Sequence, residues 1–158
     1  MSVSLVWATP DAEKFVVKTA RVSNKANEDN WETGPKLLKY LIKHNHWSPF
    51  EMVSMCIEIN TQRDIAAQIT RHRSFSFQEF STRYAKTDEA SVPWFRRQDE
   101  KNRQNSINDI HPFTQQELQY KAQRLIRQSY DLYEYMLQRG VAKETARRIL
   151  PLCTPTSM

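Results

Sequence analysis

The chain has 158 residues, 39% hydrophobic and 26% charged, a balance that suits one soluble globular domain and excludes a disordered segment. Its net charge of +5 favours anionic partners such as nucleotides, phosphorylated cofactors or nucleic acid, without choosing among them. Two glycines are too few for a Walker loop or a dinucleotide fingerprint. Two cysteines, Cys56 and Cys153, make no disulfide framework and fit a reducing, cytoplasmic setting. The N-terminal residues show no signal-peptide pattern, and no apolar run reaches membrane-spanning length.

Val3, Leu5 and Trp7 alternate with Ser4 and Val6, which predicts a short strand. Thr9-Pro10-Asp11 supplies a cap, a proline for the first helical position and an early acid, so a helix is expected from Pro10 to about Arg21. Residues 23–33 read as a polar loop. Pro35 then opens a second helix with Leu37, Leu38, Leu41 and Ile42 inward, ended by HNHWSP. EMVSMCIEIN reads as a strand, with Val53, Met55, Ile57 and Ile59 sharing one face. A helix from about Arg63, with Ile65, Ala66 and Ile69 inward, delivers the chain into RHR.

Residues 86–113 form a polar excursion, with room for a short helix. Thr114 and Glu117 have capping-box spacing. They predict the start of a long helix whose inner stripe is Leu118, Ala122, Leu125, Ile126, Ser129, Leu132, Tyr133, Met136 and Leu137. Gly140 stops it, and AKETARRIL forms a shorter helix ending at Pro151.

The densest chemistry lies in RHRSFSFQEFSTRY, Arg71 to Tyr84. Arginine forks match phosphate, carboxylate and the edges of uracil or flavin rings. Ser76, Ser81 and Thr82 add neutral donors, and Phe75, Phe77 and Tyr84 add stacking faces. Glu79 needs an arginine or a ligand donor to meet it. A bare R-H-R is most simply a solvated basic turn, but fourteen residues that crowd aromatics with ligand-type side chains favour a binding site.

Other readings are weaker. His44, His46, Cys56 and His72 have no zinc-site spacing, so no metal is expected. A serine hydrolase lacks its G-x-S-x-G elbow. A nucleic-acid surface would combine basic residues with stacking, yet the basic residues here are scattered and Glu79 would repel a phosphate backbone. Arg147 and Arg148 suit a solvated helix face, although Arg147 borders an apolar run.

Arg71-His72-Arg73, seven residues and then Ser81 resembles the signature of the flavin-dependent thymidylate synthases. TARVSN, KHNHWSPFE and GVAKETARRILPL are similar to three further segments of that family, in the same order along the chain. The resemblance implies an α+β fold with a small, mostly antiparallel sheet and long helices. It implies synthesis of dTMP from dUMP, with methylenetetrahydrofolate as carbon donor and FAD, reduced by NADPH, as hydride carrier. It also implies a homotetramer with shared sites and no cysteine nucleophile.

By matched position, Gln68, Arg71, Glu79, Ser81, Arg83 and Arg147 resemble the family's dUMP contacts. Arg71, Ser81 and Arg83 are expected to be the catalytic residues. Arg71, His72, Arg73, Ser74 and Glu79 resemble its FAD contacts, joined by Ser48, with His46 and Tyr84 near flavin and folate. Ser74, Phe77 and Gln78 depart modestly from the family pattern. Family members also continue past the position of Met158 with helices that hold FAD and activate the uracil. The expectation is therefore a family domain over 1–158 lacking those helices, with turnover by these residues alone in question. The alternative is a non-catalytic nucleotide- or nucleic-acid-binding module.

Overall fold

The computed structural model describes residues 1–87 and 89–158. The chain forms two compact units, Val3–Glu58 and a larger one made of Met1–Ser2 with Ile59–Met158. Among the described residues, five helices and a small sheet give the expected α+β class.

In the smaller unit, strand β1 (Ser2–Ala8) and the first half of strand β2 (Met55–Gln62) lie side by side. Thr9 bonds Ser54 through its amide, 2.9 Å, and Ser4 bonds Glu58. Those pairings run in opposite senses along the two strands, which makes them antiparallel. Helix α1 (Ala12–Ala20) packs on helix α2 (Gly34–Lys43) and on a 3-10 turn over Ser48–Met52. Val16, Val17 and Leu41 form the core there. Gly34 lies beneath the Trp31 ring, where an added Cβ would stand 2.6 Å from a ring carbon.

Four expectations need correction here. Helix α1 begins at Ala12 rather than Pro10, and Asp11 precedes it in a left-handed conformation at φ 48°. Thr9 does not cap it, because its hydroxyl is engaged with the Ser54 backbone at 3.0 and 3.3 Å. Strand β2 begins only at Met55, since Ser-Pro-Phe-Glu-Met winds into the 3-10 turn that proline at its second position favours. Ile42 is exposed rather than inward.

In the larger unit, the second half of β2 pairs antiparallel with strand β5 (Pro155–Ser157), placing Thr61 opposite Thr156. Helix α3 (Arg63–Ile69) follows β2 and packs against β5. The excursion carries a two-stranded antiparallel pair, β3 (Arg97–Gln98) and β4 (Ser106–Ile107). Arg97 braces it with a two-toothed grip on Asp109, at 2.7 to 3.1 Å.

Helix α4 (Pro112–Gln138) is the long element. It starts two residues before the expected capping box. His111 is its cap, accepting from the Phe113 amide through Nδ1 at 3.3 Å, and Pro112 takes the first helical position. The buried stripe also differs from the expected one. Gln115, Ile126, Tyr130 and Tyr133 are buried and Gln119, Ala122, Ser129, Met136 and Leu137 half-buried, while Leu118, Leu125 and Leu132 are exposed. A polar residue takes an inward place because it has work there. With its oxygen turned toward the Phe95 amide, the Gln115 side chain binds both backbone groups of Phe95, at 3.0 and 3.2 Å, and ties the excursion to α4.

Ala90, Ile126 and Tyr130 form the core beside Val92, Leu150 and Cys153. Tyr130 donates to Thr154 Oγ1 at 3.1 Å. Tyr133 is fully buried and its hydroxyl has no partner among the described residues. Burial pushes that phenol upward from its ordinary pKa.

Gly140 ends α4 at φ +80°. The Val141 amide reaches the Met136 carbonyl and the Gly140 amide reaches that of Leu137, both at 3.0 Å, the pattern of a Schellman end. Helix α5 (Lys143–Ala146) and a 3-10 turn over Arg147–Ile149 follow. Gly140→Ala meets open space around its new methyl, so only the backbone opposes it. Equilibrium urea unfolding should show a loss of about 1 kcal/mol, and no loss would refute the left-handed requirement.

Candidate active site

The signature begins where α3 ends. The Arg71 amide bonds the Gln68 carbonyl at 3.2 Å and the His72 amide that of Ile69 at 3.0 Å, so the helix unwinds through RHR. The chain then runs extended. Phe77 and Glu79 face inward, half-buried, while Gln78 and Phe80 face out, the period-two alternation of a strand. The Phe80 amide bonds the Ser157 carbonyl at 2.8 Å, laying the segment along β5. A turn follows, in which the amides of Tyr84 and Ala85 both reach the Ser81 carbonyl at 3.0 Å.

This path exposes Arg71, His72, Arg73, Ser74, Ser81, Arg83 and Tyr84, the last at 85%. The His72 ring lies flat on Phe75, with centroids 4.1 Å apart and planes 12° apart, and Phe77 meets Phe75 edge-on. The outer face therefore offers a flat ring stack bordered by Arg71 and Arg73, side chains that can only donate hydrogen bonds. Glu79 finds a neutral partner rather than an arginine: Thr156 Oγ1 donates to its Oε1 at 3.0 Å. Beside Phe80 and Thr156 opens a cavity of about 890 Å³, with Gln62, Lys86 and Trp94 in its wall.

Arg147 comes from the 3-10 turn after α5 and donates to Thr82 Oγ1 at 3.1 Å. Lys143 Nζ reaches the Tyr84 carbonyl at 2.8 Å, tying α5 to the end of the signature. Gln68 is exposed on α3. His46 and Ser48 stand in the smaller unit, exposed, where α2 ends and the 3-10 turn begins. His46 meets Tyr40 edge-on at 6.0 Å.

Arg63, Thr156 and Lys143 carry no site role in the sequence reading, and Thr82 enters it only as one neutral donor of the signature. Thr82 is 1% exposed, yet in sequence it is one hydroxyl among several in a polar run. Arg63 opens α3, and in the sequence it marks no more than that boundary. Its guanidinium donates to Thr82 Oγ1 at 3.1 Å. The sequence carries no signal for the path along β5: Phe77-Gln78-Glu79-Phe80 does not alternate in hydrophobicity, and the period-two burial beside β5 is seen only in the structure.

Among the described residues no group of three or more His, Cys, Asp or Glu side chains is placed to hold a metal ion. None of the helices described is long and apolar enough to cross a membrane. Burial raises the Cys153 thiol pKa above its ordinary value, which lowers its thiolate fraction at neutral pH.

The fold is that of a nucleotide-methylating enzyme. It superposes on the UMP/dUMP methylase PolB from Streptomyces cacaoi, bound with 5-bromo-dUMP, with a TM-score of 0.83 and 26% identity, covering 99% of this chain and 69% of that one. In sequence, the family described as thymidylate synthase complementing protein matches residues 4–158. The probable flavin-dependent thymidylate synthase of Paramecium bursaria Chlorella virus 1 is 49% identical over 148 residues, covering 93% of this chain and 68% of that protein. The flavin-dependent thymidylate synthase of Synechocystis sp. is 48% identical over 146 residues, covering 92% and 67%. The chain belongs to the flavin-dependent thymidylate synthase family and spans about two thirds of the length of these relatives.

The two thiols should differ in reactivity. Iodoacetamide at pH 8, followed by peptide mapping, should modify exposed Cys56 about tenfold faster than Cys153, whose raised pKa keeps it protonated. The Cys153 rate should climb only at higher pH. Faster labelling of Cys153 would overturn the assignment of an inert thiol.

Proposed function

We propose that this chain is a flavin-dependent thymidylate synthase that methylates dUMP to dTMP, with methylenetetrahydrofolate as carbon donor and NADPH as the source of reducing equivalents. The observation that carries the reading is the course of Arg71–Tyr84. The segment is anchored on β5 through Glu79 and Phe80 and turns its arginines, serines and rings outward. The family relationship supplies the reaction.

The residues present suit FAD. The flat His72–Phe75 stack can underlie a planar ring, and Arg71, Arg73 and Ser74 beside it are donors for a pyrophosphate. Ser48, His46 and Tyr84 complete the set assigned to flavin and folate. Reduced flavin supplies the hydride equivalents that turn the transferred one-carbon unit into a methyl group.

The chain's own residues bind and polarise. Arg71, Arg83 and Arg147 neutralise the nucleotide's negative charge, and a guanidinium aimed at a uracil oxygen stabilises charge that develops on the ring. Gln68 and Ser81 orient the nucleotide by neutral hydrogen bonds. The Ser81 carbonyl is already taken by two amides, so its hydroxyl projects from a fixed turn. Glu79 keeps one oxygen on Thr156 and offers the other to a ligand donor, serving nucleotide and flavin alike. No thiol addition to the uracil is assigned. Cys153 is held protonated by burial, and Cys56 lies exposed on a strand outside the signature.

We also propose a cytoplasmic homotetramer with shared sites. Val3, Leu5, Trp7 and Met55 leave an exposed apolar sheet face, and Leu118, Leu125 and Leu132 leave an exposed helix stripe. Monomers rarely leave such contiguous apolar surface uncovered. Light scattering after gel filtration should give a mass near four chains, and a monomer would refute the assembly.

The decisive assay supplies dUMP, methylenetetrahydrofolate, NADPH and FAD, and follows dTMP. Product that depends on all four is the expected outcome. Activity that appears only when a downstream segment is added would show that residues 1–158 form one part of the catalyst. A colourless protein that takes up no FAD and binds oligonucleotides with steep salt dependence would favour the nucleic-acid module instead. Arg83→Ala should weaken dUMP about tenfold or more while leaving FAD within twofold, measured by calorimetry, as expected for a charge-assisted contact to one ligand. Equal loss of both would count against its assignment to the nucleotide.

A further inference from the structure

Arg63 and Arg147 come from opposite ends of the larger unit's sequence, yet both guanidinium groups donate to one atom. Arg63 Nη1 and Arg147 Nη1 each stand 3.1 Å from Thr82 Oγ1. The two cationic nitrogens are therefore no more than about twice that distance apart. Among the described residues neither guanidinium has a carboxylate within ion-pairing distance: the salt bridges engage other side chains. The only further acceptor Arg147 meets there is the Glu144 carbonyl, at 3.4 Å. The nearest acid in sequence, Asp64, turns its carboxylate to the Ile65 amide.

A threonine oxygen has two lone pairs and one proton. Here both lone pairs are occupied by guanidinium donors, so the hydroxyl can only donate. The cluster thus consists of donors alone, with two unpaired positive charges converging on a side chain that is 1% exposed. Bringing like charges together around a buried hydroxyl is unfavourable until an acceptor-only anion joins them. Arg63 and Arg147 are themselves half-buried, open on one side to such a partner.

We infer that Arg63, Thr82 and Arg147 form a phosphate-binding cluster, in which Arg63 is a second guanidinium for the phosphate monoester of the nucleotide and Thr82 is the positioning residue that fixes both forks. The resemblance assigns Arg147 to the nucleotide; the geometry adds Arg63 and gives Thr82, one donor among several in the sequence, its place between the two forks. The identity of the phosphate carrier rests on the dUMP reading above. Thr82 touches no ligand and acts through the two arginines.

The test measures binding of inorganic phosphate, dUMP, deoxyuridine and FAD by calorimetry to the wild type, Thr82→Val, Thr82→Ser and Arg63→Gln. Valine keeps the shape and removes the acceptor. It should weaken phosphate and dUMP about tenfold, the size of a lost hydrogen bond to a charged group, while deoxyuridine and FAD change less than twofold. Serine restores the hydroxyl and should stay within twofold of wild type. Arg63→Gln should weaken phosphate and dUMP as valine does, which keeps the test decisive if Thr82→Val fails to fold. Wild-type phosphate affinity in Thr82→Val and Arg63→Gln overturns the cluster. So does a parallel loss for FAD and deoxyuridine, or a wild type that binds no phosphate. A wild type that binds phosphate in a Thr82-dependent way but not dUMP retains the cluster and refutes the dUMP reading. Normal dUMP and FAD binding in both variants does the reverse.

Discussion

The hydrogen bond from the Phe80 amide to the Ser157 carbonyl, 2.8 Å long, is the constraint on which the candidate site depends. Residues between the end of α3 and the turn at Ser81 have no helix or regular sheet of their own. Left alone, such a stretch would lose roughly 1–2 kcal/mol of backbone entropy per residue on ordering, with little to offset it. Strand β5 supplies the offset. One side of it pairs with β2. It also holds the signature, through its Ser157 carbonyl and the Thr156 hydroxyl that meets Glu79. Three residues therefore set the phase of the whole segment. Phe77 and Glu79 then face inward along β5, while the helix end before them and the turn after them leave Arg71, Arg73, Ser81 and Arg83 exposed.

The polar interior follows the same logic. The larger unit buries Thr61, Thr82, Gln115, Thr154 and Thr156 among few large apolar side chains. All five have hydrogen-bond partners: the four threonines connect segments distant in sequence, and Gln115 ties the excursion to α4. Buried hydroxyls of this kind contribute roughly 1 kcal/mol net each but cost more when orphaned, so they specify register more than they add stability. Tyr133 is the counterexample, a buried hydroxyl without a partner among the described residues. Its contribution comes from ring packing, edge-on against Tyr130 at 6.5 Å.

Much of the architecture was legible in the chain. Alternation found β1, proline and glycine found the ends of α2 and α4, and the signature with its three companion segments found the family. The failures share a cause. Thr9-Pro10 and Thr114 to Glu117 had the right spacing for caps, but local spacing competes with tertiary demand. Thr9 was taken by Ser54, and Pro112 behind His111 made an earlier start possible for α4. The leucines at 118, 125 and 132 recur every seven residues and looked like the inner seam. A helix can carry two stripes, and hydrophobicity does not say which one the same chain covers. Gln115 took an inner place because it could satisfy the Phe95 backbone, a partner separated by an irregular loop. For the site, residues matched to the family were visible as types, while the pairing of Arg63 with Thr82 shows only where α3 and the 3-10 turn after α5 converge on one hydroxyl.

Trp31 and Gly34 carry a consequence for how this sequence can drift. The glycine is demanded by volume and not by backbone shape, because the space a methyl would need is filled by two indole carbons 2.6 and 2.8 Å away. A flat, rigid ring gives way less readily than the tip of a flexible side chain. The two positions are thus a single inherited choice. A larger residue at 34 becomes acceptable together with a smaller one at 31, and lineages that alter one should alter the other.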